Sequence, residues 1–181
     1  RQRQMCIRDR GTGNAVLLGA VLAGMMSIDM GGPFNKAAYA FAIAAFTSTK
    51  NGDLMAAVMV GGMVPPLATA IATTFWPKKF TEQEREAGIS NWVLGISFIT
   101  EGAIPFATAD PLRVIGSSIV GSAIGGGLSQ LWKVSVPAPH GGLWVIALAD
   151  HKLFYVLSVL IGAVVAGFIM GIWKPRRTTN D

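Results

Sequence analysis

The stretch Ile96-Ser97-Phe98-Ile99-Thr100-Glu101-Gly102-Ala103-Ile104-Pro105-Phe106-Ala107 sets a single carboxylate inside an otherwise apolar run, beside a glycine and a proline. A charge in hydrocarbon costs about 3 kcal/mol or more, so by default it marks a substrate or ion pathway. Gly102 and Pro105 predict a broken backbone at this point. Broken helices at membrane depth survive only where they line an enclosed cavity. This segment predicts a membrane protein with a polar binding site inside it.

The composition agrees. Only 14% of the 181 residues are charged and 51% are hydrophobic, whereas soluble domains carry about 25% charge. The formal net charge of +5 is not a nucleic-acid footprint. Arg1, Arg3, Arg8 and Arg10 form a basic head and most other cations flank apolar segments, the pattern of a protein oriented in a lipid bilayer. The single cysteine, Cys6, lies in that head, so disulfide and thiolate chemistry have no support. A phosphate-cradling Gly-rich loop and a His/Cys cluster with metal-ligand spacing are both missing from the sequence, so neither cofactor nor metal is expected. Residues 1–10 lack periodicity and are read either as a cytoplasmic tail or as a non-native junction. Residues 11–173 are expected to form one membrane domain, and 174–181 a cytoplasmic tail.

Along the chain, Ala15 to Met30 is just long enough to span with its flanks. It runs into the Gly/Pro-interrupted turn Asp29-Met30-Gly31-Gly32-Pro33-Phe34-Asn35-Lys36. Ala37 to Phe46 is too short to cross and reads as a half-helix or re-entrant arm. Leu54 to Trp76 is a full span whose Pro65-Pro66 pair should kink or interrupt it. Pro77 to Ser90 reads as a charged loop. Leu112 to Trp132 and Leu153 to Trp173 are further spans, separated by a loop from Val136 to Asp150.

The cations test this topology. Lys78, Lys79 and Arg85, like Lys174, Arg176 and Arg177, belong on the cytoplasmic side. An even number of crossings must separate the two clusters, and Leu112–Trp132 and Leu153–Trp173 supply two. Asn91 to Asp110 must then enter and leave on one side, as a re-entrant hairpin with its tip near Glu101 to Pro105.

Three ordered motifs carry a resemblance: Asp29-Met-Gly-Gly-Pro-Phe-Asn-Lys-Ala-Ala-Tyr39, Phe98-Ile-Thr-Glu-Gly-Ala-Ile-Pro-Phe-Ala107 with Asp110-Pro-Leu-Arg-Val114, and Pro139-His-Gly-Gly142. Together with the charged loop Phe75 to Gly88, they resemble the fructose-specific membrane component, enzyme IIC, of the bacterial phosphotransferase system. The resemblance runs from about Gly11 to Trp173 and points to the C-terminal half of such a permease. It implies an all-α integral membrane fold, a polytopic bundle with re-entrant hairpins and broken helices around a midplane sugar site. It also implies a multi-pass protein of the bacterial inner membrane, working as a homodimer. Fructose or a related hexose would be translocated and phosphorylated by a phosphocysteine on a separate enzyme II B domain. Whether this chain counts as an enzyme by itself stays open.

Glu101 can accept hydrogen bonds from two sugar hydroxyls and take up a proton as general base. The alternative is a structural carboxylate paired with Arg113 or Lys36. Thr100 can offer its hydroxyl to sugar or bond its own backbone. Asp29, Asn35 and Lys36 form a second polar cluster, either lining the site or pairing within their turn. By the resemblance, His140 joins Glu101 in contacting or deprotonating the sugar; otherwise it is a solvated loop residue. Asp110 and Arg113, three apart, can bridge at the hairpin base. The rival function is an ion-coupled secondary transporter using Glu101, Asp29 and Asp110, and a third reading is an inactive membrane fragment.

Overall fold

A computed structural model describes residues 12–50, 52–138 and 141–175. These form seven α-helices: α1 (Thr12–Ile28), α2 (Pro33–Thr49), α3 (Asp53–Phe75), α4 (Glu82–Ile96), α5 (Ile104–Ala109), α6 (Pro111–Leu131) and α7 (Lys152–Trp173). Short 3-10 turns cover Pro77–Lys79, Thr100–Ala103 and Gly142–Leu148. The described residues contain no strand, only an isolated bridge between Ser135 and Asp150. The fold is all-α, and α3, α6 and α7 are each long and apolar enough to cross a membrane.

The central element is α3. It is apolar all round, and every residue from Met55 to Thr73 is buried, as expected of a helix enclosed by others. By contrast, α7 buries 44% of its apolar window and turns Leu153, Leu160, Phe168 and Ile172 outward. Small residues let the helices touch at their backbones. A methyl group on Gly121 would fall on the Gly162 carbonyl of α7, and one on Gly126 would fall on Ala23 of α1.

Pro65 and Pro66 do not interrupt α3. Lacking N–H groups, they leave the carbonyls of Gly61 and Gly62, four residues back, without helical donors. Both carbonyls find donors elsewhere. The Ser122 hydroxyl donates to Gly61 at 3.1 Å, and the Thr100 hydroxyl donates to Gly62 at 3.1 Å. With the orphan acceptors satisfied, the helix continues.

The predicted hairpin around Glu101 is present. Gly102 lies against Asn91 and Leu94, Phe106 packs on Phe80 with ring centroids 6.0 Å apart, and Pro105 and Ala109 share a hollow with Thr81, Glu84 and Ala87. So α5 returns alongside α4, and entry and exit lie at one end. The turn itself sits at Ser97–Ile99, earlier than expected, with Phe98 in the left-handed region at φ 64°. Glu101 begins the return arm. The charged stretch expected to be a loop is instead a 3-10 turn and the first turns of α4. A capping box, Thr81 with Glu84, starts that helix by satisfying two amides reciprocally.

The N-terminal part departs further from expectation. Here α1 runs parallel to α3, with Ala23 against Gly61 and Met26 against Gly62, so its end at Ile28 reaches only the central turns of α3. The chain then reverses through Gly31, at φ 96°, and α2 climbs back to the start of α3. As expected of a returning arm, α2 comes back from the turn, but it has 17 residues and is longer than Ala37 to Phe46 suggested. Together α1 and α2 form a second hairpin, opposed to the first.

The two ends of the bundle are distinct. At one end, the Lys79 ammonium donates to the Gly171 carbonyl at 2.6 Å, and Lys174 stands 3.5 Å from Glu84 and over the Phe80 ring. The Lys78/Lys79 turn and the end of α7 thus share a side, as the charge count requires. At the other end, the Gln130 amide donates to the Asp53 carbonyl, and Trp132 stacks on Phe154. The basic head and residues 176–181 lie outside the described residues.

Candidate functional site

The tips of the two hairpins meet beside the double proline of α3. A methyl group on Gly31 would stand 3.1 Å from the Glu101 Oε1, so the first tip lies directly on the carboxylate. Next to this junction a cleft of about 190 Å³ is lined by Met26, Asn35, Tyr39, Phe98, Ile99, Thr100 and Glu101. It is open, since Glu101 and Ile99 are exposed. A larger hollow of about 470 Å³, against Pro111, Leu112, Ile115, Gly116 and Ile119, is almost wholly apolar and has nothing to orient a polar ligand.

Glu101 pairs with neither Arg113 nor Lys36. The Arg113 guanidinium instead bonds Asp110 at 2.9 Å, closing the base of the α4–α5 hairpin. Glu101 forms no ion pair among the described residues. A carboxylate with unused acceptor capacity at the mouth of a cleft is suited to neutral hydroxyl donors.

Asn35 sits in the first turn of α2. Its side-chain amide donates to the Met26 carbonyl at 3.0 Å, tying the two arms of that hairpin together. Tyr39, one helical turn further on, presents its ring to the same cleft and packs at 6.2 Å against Phe98. Sequence reasoning did not single out Tyr39. The i, i+4 spacing from Asn35 on a helix is the sequence signal that could have found it.

The other expected residues separate from this group. Asp29 turns onto its own hairpin: Oδ2 accepts from the Phe34 N–H at 2.7 Å and Oδ1 from the Asn35 N–H at 2.9 Å. It caps the amides at the start of α2, where negative charge is also favoured by the helix dipole. Lys36 is exposed on α2 and is not among the cleft-lining residues. The Thr100 hydroxyl, only 4% exposed as a residue, donates to Gly62 rather than to its own helix.

His140 lies outside the described residues. The loop that follows it is fixed at the α4–α5 tip. Gly141 and Gly142 adopt φ 129° and 59°, and a methyl on Gly142 would collide with the Ile96 carbonyl and the Phe98 amide. Tyr155 donates to the Gly142 carbonyl at 2.8 Å, and the Trp144 indole donates to Ser97 at 2.9 Å. Among the described residues there is no cluster of His, Cys, Asp or Glu able to hold a metal ion.

Comparison with known proteins extends the motif resemblance across the chain. It is 56% identical over 168 residues to the PTS system fructose-specific EIIABC component of Bacillus subtilis, covering 93% of this chain and 26% of that protein. It is 55% identical over 164 residues to the fructose permease IIC component of Bacillus amyloliquefaciens, covering 91% and 53% respectively. It is 44% identical over 167 residues to the PTS system fructose-specific EIIC component of Haloferax volcanii, covering 92% and 44%. The chain therefore spans about half the length of the shorter relatives and about a quarter of the longest. No family model and no solved structure matches it.

Proposed function

We propose that this chain, homologous over nine-tenths of its length to fructose-specific IIC components of the phosphotransferase system, is part of such a permease. It would carry fructose or a related hexose through a multi-pass bundle in the bacterial inner membrane and present it for phosphorylation. The observation that carries this reading is the 44–56% identity over about 90% of the chain to proteins named for that system. Several of those relatives are named as joined B and C components, which supports an enzyme II B domain as phosphoryl donor. A homodimer follows from the family resemblance alone.

In this reading Glu101 accepts hydrogen bonds from sugar hydroxyls and takes the proton released when one of them attacks phosphorus. Asn35 supplies its remaining acceptor oxygen and Tyr39 an aromatic wall, and the roles of Lys36 and His140 toward the sugar are those the family resemblance implies. Asp29 and Thr100 shape the site through the bonds they make to the backbone, Asp29 to the first amides of α2 and Thr100 to Gly62. The ion-coupled alternative is not favoured. Two of its three carboxylates are engaged, Asp29 on α2 amides and Asp110 on Arg113.

The test is phosphoenolpyruvate-dependent formation of fructose phosphate by membranes containing the full-length protein that carries this sequence. Sugar phosphate is the expected product. Free fructose accumulating in step with an ion gradient would overturn the reading.

A further inference from the structure

We infer that the double proline of α3 is a docking point that sets the register of both hairpins, and that Thr100 is the positioning residue through which it fixes Glu101. This rests on the function proposed above only for its effect on sugar binding; the geometry is independent of it.

Two adjacent carbonyls, Gly61 and Gly62, lack helical donors because Pro65 and Pro66 have no N–H. Each is taken by a different part of the chain. Gly62 accepts from Thr100, the residue next to Glu101 on the α4–α5 hairpin. Gly61 accepts from Ser122, and the Ser122 hydroxyl is in turn bonded to Ser27, the penultimate residue of α1 in the other hairpin. Shape supports the same contact. A methyl on Gly62 would overlap the Phe98 ring, and one on Gly61 would overlap the Ala23 backbone. The α4–α5 tip is therefore seated directly on Gly62 and the α1 arm of the other hairpin on Gly61, with Ser122 of α6 bridging Gly61 to Ser27, and this seating goes with Gly31 standing against the Glu101 carboxylate. The Thr100 proton is committed to Gly62, which ties the residue beside Glu101 to α3.

The experiment uses the full-length protein in a background in which every other cysteine, Cys6 included, is replaced by serine, with Ile99→Cys as the sole reporter, because Ile99 is exposed on the cleft. Maleimide labelling of that cysteine reads tip mobility without any sugar, and fructose binding reads the site. Thr100→Val should raise the labelling rate and weaken fructose binding, each by about three- to tenfold, the range of one neutral hydrogen bond. Thr100→Ser, which keeps the hydroxyl, should restore both. Pro66→Ala returns a helical donor to Gly62 without touching the tip and should also raise labelling, and adding Thr100→Val to it should change little more. Unchanged labelling in Thr100→Val, or effects that simply add in the double variant, would overturn the inference. Loss of fructose binding by the unmodified protein, with this labelling pattern intact, would count against the proposed function and leave the positioning role supported.

Discussion

Gly31 lies against the Glu101 carboxylate, on the opposite hairpin and 70 positions away in sequence. Its φ of 96° is strained for any residue with a Cβ, and a methyl there would stand 3.1 Å from Oε1 and 3.3 Å from Cγ. Gly31→Ala is expected to lower stability by about 1–2 kcal/mol and to push Glu101 off its place. Thermal unfolding and fructose affinity should fall together. A variant with full stability and affinity would show that the tips do not meet as described.

Glu101→Gln keeps nearly the same volume and removes the charge. In the full-length protein it should insert normally yet bind fructose roughly ten- to a hundredfold more weakly, since a hydrogen bond to a charged group contributes about 1.5–3 kcal/mol. Asp110→Asn should behave oppositely. It loses a partly exposed ion pair with Arg113 and should cost about 1 kcal/mol or less of stability, with affinity per folded molecule preserved. Affinity lost in Asp110→Asn and kept in Glu101→Gln would put the site at the wrong carboxylate.

Asp29→Ala removes two hydrogen bonds from the start of α2. The expected cost is about 1–2 kcal/mol, typical of a lost cap, with Asp29→Asn recovering part of it. Calorimetric or denaturant unfolding in detergent checks this. If Asp29→Ala instead leaves stability intact and abolishes fructose binding, Asp29 contacts the ligand and is not a cap.

The Lys78/Lys79 turn and Lys174 lie at one end of the bundle. A cysteine at position 86, on the exposed face of α4, should resist an impermeant thiol reagent added outside intact cells and react once the membrane is opened. Labelling from outside would invert the orientation given by the cations.

Several features were legible in the sequence because their causes are local. Hydropathy over some twenty residues marks α3, α6 and α7 as spans. The charge and chain breakers around Glu101 dictate a hairpin, since an unpaired backbone cannot lie in lipid. The start of α4 was written locally as well, in Thr81 and Glu84 three positions on, although the high charge of Pro77 to Ser90 reads as loop. What only the tertiary structure decided depends on groups far apart in sequence. Pro65 and Pro66 should break a helix by themselves; α3 continues because Ser122 and Thr100 satisfy the carbonyls they orphan. Likewise α1 could have been a full crossing by length. It turns back because Gly31 closes a reversal whose tip rests on Glu101. No local pattern encodes which distant donor meets a freed acceptor, and at this site that pairing determines where the carboxylate stands.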